Sequence, residues 1–107
     1  MSTEIENLSK EFKEQLIALY GQRFDKLILF GSYARGDFHE DSDVDFMVVL
    51  NDETIKGSTE VRRVGSSASE LSIKYNKFVS VLPTSFPKFY HSTLPFYQIV
   101  RHEGIKI

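Results

Sequence analysis

The segment Phe30-Gly-Ser-Tyr-Ala-Arg-Gly-Asp-Phe-His-Glu-Asp-Ser-Asp-Val-Asp45 holds residue types at spacings that suit chemistry at phosphorus. Asp43 and Asp45 stand two apart at the start of an apolar run, and on a strand residues i and i+2 project to the same face. Two carboxylates side by side repel each other unless a cation sits between them or one takes a proton. Magnesium is the natural partner of such an oxygen-rich pair, because it keeps some waters and completes its shell with substrate phosphates. Gly31 and Ser32 close the preceding apolar run. A glycine there lets backbone approach a phosphate, and the serine hydroxyl with the N–H groups opening the next turn can donate to phosphate oxygens. These parts suit displacement at a nucleotide phosphorus, where catalysis consists mostly of positioning and charge neutralisation.

Rival readings of the same residues are weaker. Asp43 and Asp45 alone would read as solvated turn acids, and Gly31-Ser32 alone as a turn; the spacing between the two pairs gives each its weight. Asp41, Asp43 and Asp45 imitate the first three ligands of a calcium loop, but Phe46 stands where that loop needs glycine and Asp52 where it needs glutamate. No Gly-Lys-Ser/Thr follows, so this is not a Walker phosphate loop. Arg35 reads as an ion-paired surface residue with Asp37 and Glu40 as partners, the alternative being neutralisation of a triphosphate. His39 is a lone histidine in a polar loop and stays outside the site. His91 and His102 have no metal-ligand spacing to another His or Cys.

The elements that must carry this segment follow from apolar periodicity. Ile5, Leu8, Phe12, Leu16 and Leu19 predict a helix over residues 3–20, with Thr3 and Glu6 as a capping box and Gly21 as its stop. Lys26–Phe30 predicts a short strand, residues 33–42 a polar turn-rich connection, and Val44–Leu50 a strand apolar enough to be central and covered on both faces. Val61, Val64, Ala68, Leu71 and Tyr75 predict a helix over about 58–76, and Phe78–Leu82 a strand stopped by Pro83. A closing helix is expected near 95–103, capped by Thr93 or Ser92, with Phe96, Ile99 and Val100 inward and Gly104 as terminator. Phe86, Phe89, Tyr90, Phe96 and Tyr97 read as core by default, or as a partner-facing patch because they exceed what a short terminal helix hides. The order predicts a small α/β sandwich, helices packed on a mixed sheet.

Length and composition bound the rest. The 107 residues, 41% of them hydrophobic, fit one domain over 1–107 with a single core. Without cysteine there is no disulfide and no thiolate zinc site, so the cytoplasm is the expected compartment. The acidic N-terminus lacks an apolar signal core, and no run approaches the roughly 20 residues of a membrane span. A net charge of −2 gives no bulk attraction to nucleic acid.

Gly31-Ser32, ten intervening residues, then Asp43-Val44-Asp45 and an apolar strand resemble the signature of the DNA polymerase β-like nucleotidyltransferase superfamily. Gly-Ser-Tyr-Ala-Arg-Gly-Asp and Ser-Asp-Val-Asp-Phe are similar to its minimal nucleotidyltransferase (MNT) branch, whose antitoxins pair with HEPN-domain ribonuclease toxins. The resemblance is specific over residues 26–50. It implies a small mixed β-sheet flanked by helices, and transfer of AMP from ATP to a hydroxyl with Mg²⁺. Asp43 and Asp45 would be the catalytic metal ligands, and Gly31 and Ser32 would hold the nucleotide. It further implies an antitoxin that modifies a tyrosine of a cognate HEPN protein. One departure stands out: the family's third carboxylate lies on a later strand, where by register this chain has Ser80. A serine is a poor metal ligand and no general base unaided; Asp41 or a group of the partner is the alternative source. The competing expectation is therefore a weak or inactive antitoxin that neutralises its partner by binding alone. A small-molecule transferase is disfavoured, since such enzymes carry a second domain for the acceptor.

Overall fold

The computed structural model describes residues 2–107. Apolar residues at helical spacing build α1 (Thr3–Tyr20), which buries Ile5, Leu8, Phe12, Leu16 and Tyr20. Leu19, expected inward, is exposed, and Tyr20 takes the inward position. The N-cap is Ser2 rather than Thr3: its hydroxyl accepts from the Ile5 N–H at 3.3 Å, a contact worth about 1 kcal/mol. Gly21 ends the helix at φ 56° and leads through a single 3₁₀ turn, Gly21–Arg23, into β1 (Phe24–Phe30), two residues longer than Lys26–Phe30.

The remaining elements are α2 (Ser32–Arg35), β2 (Val44–Leu50), α3 (Gly57–Tyr75), β3 (Val79–Ser85), α4 (Phe86–His91), α5 (Pro95–Glu103) and β4 (Ile105–Lys106). The sheet has four strands in the order β3-β2-β1-β4. β1 is antiparallel to β2 and β4, whereas β2 and β3 run parallel, as a strand–helix–strand connection through α3 allows. This is the mixed α/β sheet flanked by helices that the element order predicts.

Alternation along the strands divides the core in two. Leu27, Leu29, Val44, Phe46, Val48 and Leu50 face α1 and α3, where Phe12 and Phe46 pack with centroids 5.3 Å apart. Ile28, Met47 and Val49 face the opposite way, against Phe89 and Val100 of α4 and α5. β2, with neighbours on both sides and both faces, is the central strand expected of its unbroken apolar run.

The later half departs most from expectation. Pro83 does not stop β3: the Val44 N–H donates to the Phe78 carbonyl, so by parallel alternation the amides of Ser80, Leu82 and Thr84 turn toward β2. Position 83 then faces the free edge, where a missing N–H costs no ladder bond. α3 forms as expected and runs unbroken through Gly65, but Val61 on its expected inward stripe is exposed. The aromatic tail folds into two helices, not one. Phe89 is buried and Tyr90 and Tyr97 half-buried, while Phe86, Phe96 and Ile99 are exposed. α5 is preceded by Leu94 with no side-chain cap from Ser92 or Thr93.

At the sheet end away from Gly31, a buried Glu60 accepts from Tyr20 (3.0 Å), Arg23 (2.9 Å) and Arg63 (3.0 Å), and Arg23 also forks onto Asp52. Burial pushes the Glu60 carboxyl up, but the Arg23 and Tyr20 hydrogen bonds and the surrounding positive charge bring it below its ordinary value. No helix among the described residues is long and apolar enough to cross a membrane.

Candidate active site

β1 and β2 place the two sequence-predicted pairs against each other. Their register sets Phe30 opposite Asp45, so Gly31, the next residue, turns away directly beside the Asp45 carboxylate. Gly31 has φ 75° and ψ −154°, a region essentially restricted to glycine. A Cβ built on it would lie 2.5 Å from Asp45 Oδ2. Glycine is therefore required twice here, once by its backbone and once by the approach of the acid.

Ser32 opens α2, a single turn in which the Ala34 and Arg35 amides donate back to the Gly31 carbonyl at 3.1 Å. Gly36, at φ 88°, closes it. Tyr33 is buried, and Phe38 stacks on it with centroids 4.4 Å apart and planes 15° apart. That stack, a bond from the His39 amide to the Ser42 hydroxyl (2.9 Å), and Lys77 Nζ on the Glu40 carbonyl (3.1 Å) hold the polar loop. Asp43 leaves this loop exposed, one residue before β2, while Asp45 inside the strand is half-buried.

Burial, and then the negative charge of Asp43, raise the Asp45 carboxyl above its ordinary value, with Arg35 pulling against them. The pair thus carries the repulsion that a bound cation relieves, and its oxygen donors fit magnesium. Among the described residues no third Asp, Glu, His or Cys joins it to make a cluster of three. Ser80 stands next to Asp45 in the β2–β3 register, where the sequence reading put it, so the acid-free position is a feature of the folded site. Asp41 lies instead toward a polar cavity of about 610 Å³ lined also by Glu40, Ser42, Tyr75 and Lys77.

Arg35 pairs with Asp37 as expected (3.2 Å), but not with Glu40; its second partner is Glu103 of α5 at 3.7 Å. Phe96, also on α5, meets Phe30 edge-on at 5.6 Å. Sequence reasoning missed both contacts, since each joins residues more than sixty positions apart and neither Glu103 nor Phe96 belongs to a motif. The site is an open face: floor Phe30, Asp45 and Ser80, one wall from Gly31–Arg35, another from α5.

Known proteins resemble this chain in sequence and fold. The nucleotidyltransferase domain family matches residues 5–83. A Methanocaldococcus jannaschii protein named "Putative protein adenylyltransferase" is 34% identical over 107 residues, covering 97% of this chain and 99% of the relative. Among solved structures, a toxin–antitoxin crystallised with AMP-PNP superposes with TM-score 0.62 at 20% identity, over 98% of this chain and 72% of that one. The MNT antitoxin complex with a tri-AMPylated Shewanella oneidensis HEPN toxin gives TM-score 0.52 at 18% identity, over 92% and 70%. At such identities the structural likeness is one of fold; the family match and the 34% relative carry the assignment, and the chain belongs to the nucleotidyltransferase domain family.

Proposed function

We propose that residues 1–107 act as one minimal nucleotidyltransferase domain in the cytoplasm, transferring AMP from Mg–ATP to a hydroxyl of a partner protein. A HEPN-type toxin is the partner this reading takes, supported by a fold neighbour that is an MNT antitoxin bound to a tri-AMPylated HEPN toxin, with a tyrosine hydroxyl as the acceptor. The single observation that carries the reading is the contact between Gly31 and the Asp45 carboxylate, which joins a phosphate-accepting turn to a metal-binding acid. In this reading Asp43 and Asp45 hold Mg²⁺, Gly31 and Ser32 seat the triphosphate, and Arg35 offsets its charge. When bound, the metal neutralises charge developing on the phosphates. The chain's own residues orient: α2 presents the Ser32 hydroxyl beside Gly31, and the β-ladder fixes the distance from that turn to Asp45.

Incubating the protein with ATP, Mg²⁺ and the protein encoded beside it, then weighing both intact, tests the proposal. An added AMP on the partner, lost with Asp43→Asn plus Asp45→Asn, is the expected result. No adduct with the wild type refutes it. A second reading, neutralisation by binding alone, is favoured by Ser80 occupying the position next to Asp45. It predicts that the double Asn variant still protects cells expressing the partner toxin.

A further inference from the structure

The family match ends at residue 83, yet the last segment of the chain reaches the site at two points. Phe96 packs against Phe30, the register partner of Asp45, and Glu103 reaches the Arg35 guanidinium. Residues 96 and 103 are seven apart, on one stripe of α5, so this stripe faces the Gly31–Asp45 mouth along its length. Ile99 lies between them on the same stripe and is exposed.

The end of α5 is fixed relative to β1. A Cβ on Gly104 would lie 2.5 Å from Ile28 Cγ2 and 3.6 Å from the Leu29 carbonyl, so the residue that ends the helix sits directly against β1. Directly afterwards β4 pairs with β1, Ile105 with Leu29 and Lys106 with Ile28. The strand that leads into Gly31 therefore also anchors the segment just after Glu103. Helix stability does not explain a carboxylate there: Glu103 is the last residue of α5, where the macrodipole disfavours negative charge.

Arg35 is correspondingly under-used. Arg23 makes a fork onto Asp52 and a further bond to Glu60, and Arg101 spends both terminal nitrogens on the Phe89 and Ser92 carbonyls. Arg35 makes one hydrogen bond, from Nε to Asp37, and meets Glu103 at 3.7 Å without one. Its terminal nitrogens are held near the site but left able to donate. It is also the only Lys or Arg from Gly31 through Asp45, a stretch with five acids counting Asp45.

We propose that Glu103 is a positioning residue for nucleotide binding: anchored to β1 through Gly104 and β4, it holds the Arg35 guanidinium toward the Gly31–Asp45 mouth, where Arg35 takes the phosphates. This rests on the ATP-binding reading given above. It adds α5 and β4 to the machinery, as the part that orients the cation.

The test is a double-mutant cycle on Mg–ATP affinity by calorimetry, using wild type, Glu103→Gln, Arg35→Gln and the double variant, with melting temperatures alongside. Glu103→Gln is expected to weaken Mg–ATP binding three- to tenfold with little change in melting temperature, and to have no further effect once Arg35 is Gln. Glu103→Asp, which keeps the charge one methylene shorter, recovers part of the loss. Tighter binding by Glu103→Gln would make the carboxylate a mere repellent and overturn the proposal. Equal losses in the presence and absence of Arg35 would overturn it as well, because a residue acting through Arg35 cannot act without it. If wild type binds no Mg–ATP, the nucleotidyl-transfer reading itself fails, an outcome distinct from unaltered affinity in Glu103→Gln.

Discussion

Gly31→Ala separates the geometry of the site from the stability of the fold. At φ 75° and ψ −154° an alanine bears about 1–3 kcal/mol of backbone strain, which in a domain of this size lowers the melting temperature by roughly 5–20 °C. The new methyl would also sit 2.5 Å from Asp45 Oδ2, against an ordinary contact of 3.4 Å or more, so the carboxylate must retreat by roughly 1 Å. Because a misplacement of that size costs on the order of 100-fold where geometry governs function, Mg–ATP affinity is expected to fall far more than stability alone explains. Gly36→Ala is the matched control: φ is 88° there, but nothing lies within 4 Å of its Cβ position. It bears about 1–2 kcal/mol of strain and displaces no acid. Calorimetry with Mg–ATP and a thermal melt on both variants decide the matter. If Gly31→Ala binds Mg–ATP within about twofold of wild type, or Gly36→Ala loses as much as Gly31→Ala, the claim that this glycine exists for Asp45 is wrong.

Asp45→Asn should abolish Mg²⁺-dependent ATP binding yet leave the metal-free protein as stable or a few degrees more stable, because burial and Asp43 both disfavour its charge; a clear loss in melting temperature contradicts this account. Ser80→Asp adds a carboxylate next to Asp45 in register and should raise Mg²⁺-dependent transfer roughly tenfold or more, while an unchanged rate in a quenched time course means position 80 does not face the acceptor. Glu60, held below its ordinary 4.5 by Arg23, Tyr20 and Arg63 despite its burial, contributes stability that is complete above pH 4.5 and is lost as pH falls through its lowered folded value. Urea titrations of wild type and Glu60→Gln from pH 7 to pH 3 should therefore converge at the acid end, with a gap of about 2–3 kcal/mol at neutral pH; a gap that persists in acid refutes the assignment.

The candidate site was legible where its signal is local. Gly31, Ser32, Asp43 and Asp45 announce themselves by spacing within one segment, and the strand after Asp45 by its unbroken apolar run, so the contact between turn and acid follows once β1 and β2 pair. Even the acid-free position survived, because Ser80 needed only the alignment of two parallel strands. What the sequence hides is what depends on partners chosen by folding. Pro83 looks like a stop until its side of the strand is known. Thr3 looks like the cap because Glu6 follows three residues on, but the helix starts one residue earlier in phase and Ser2 takes the position. Phe86, Phe96 and Ile99 share the composition of Phe89 and Val100, but α4 and α5 are too short to bury every face. The Arg35–Glu103 contact has no local signal at all.

The free edge of β3 has a consequence for assembly. An unpaired sheet edge beside the candidate site invites another chain to extend the sheet, and apolar neighbours such as Phe78 and Leu82, both exposed, sharpen that hazard. With proline at position 83, whose backbone nitrogen faces the edge while its ring is buried, an incoming strand meets a missing donor in mid-edge. Beside the candidate site the sheet thus ends in an edge that is a poorer template for strand addition.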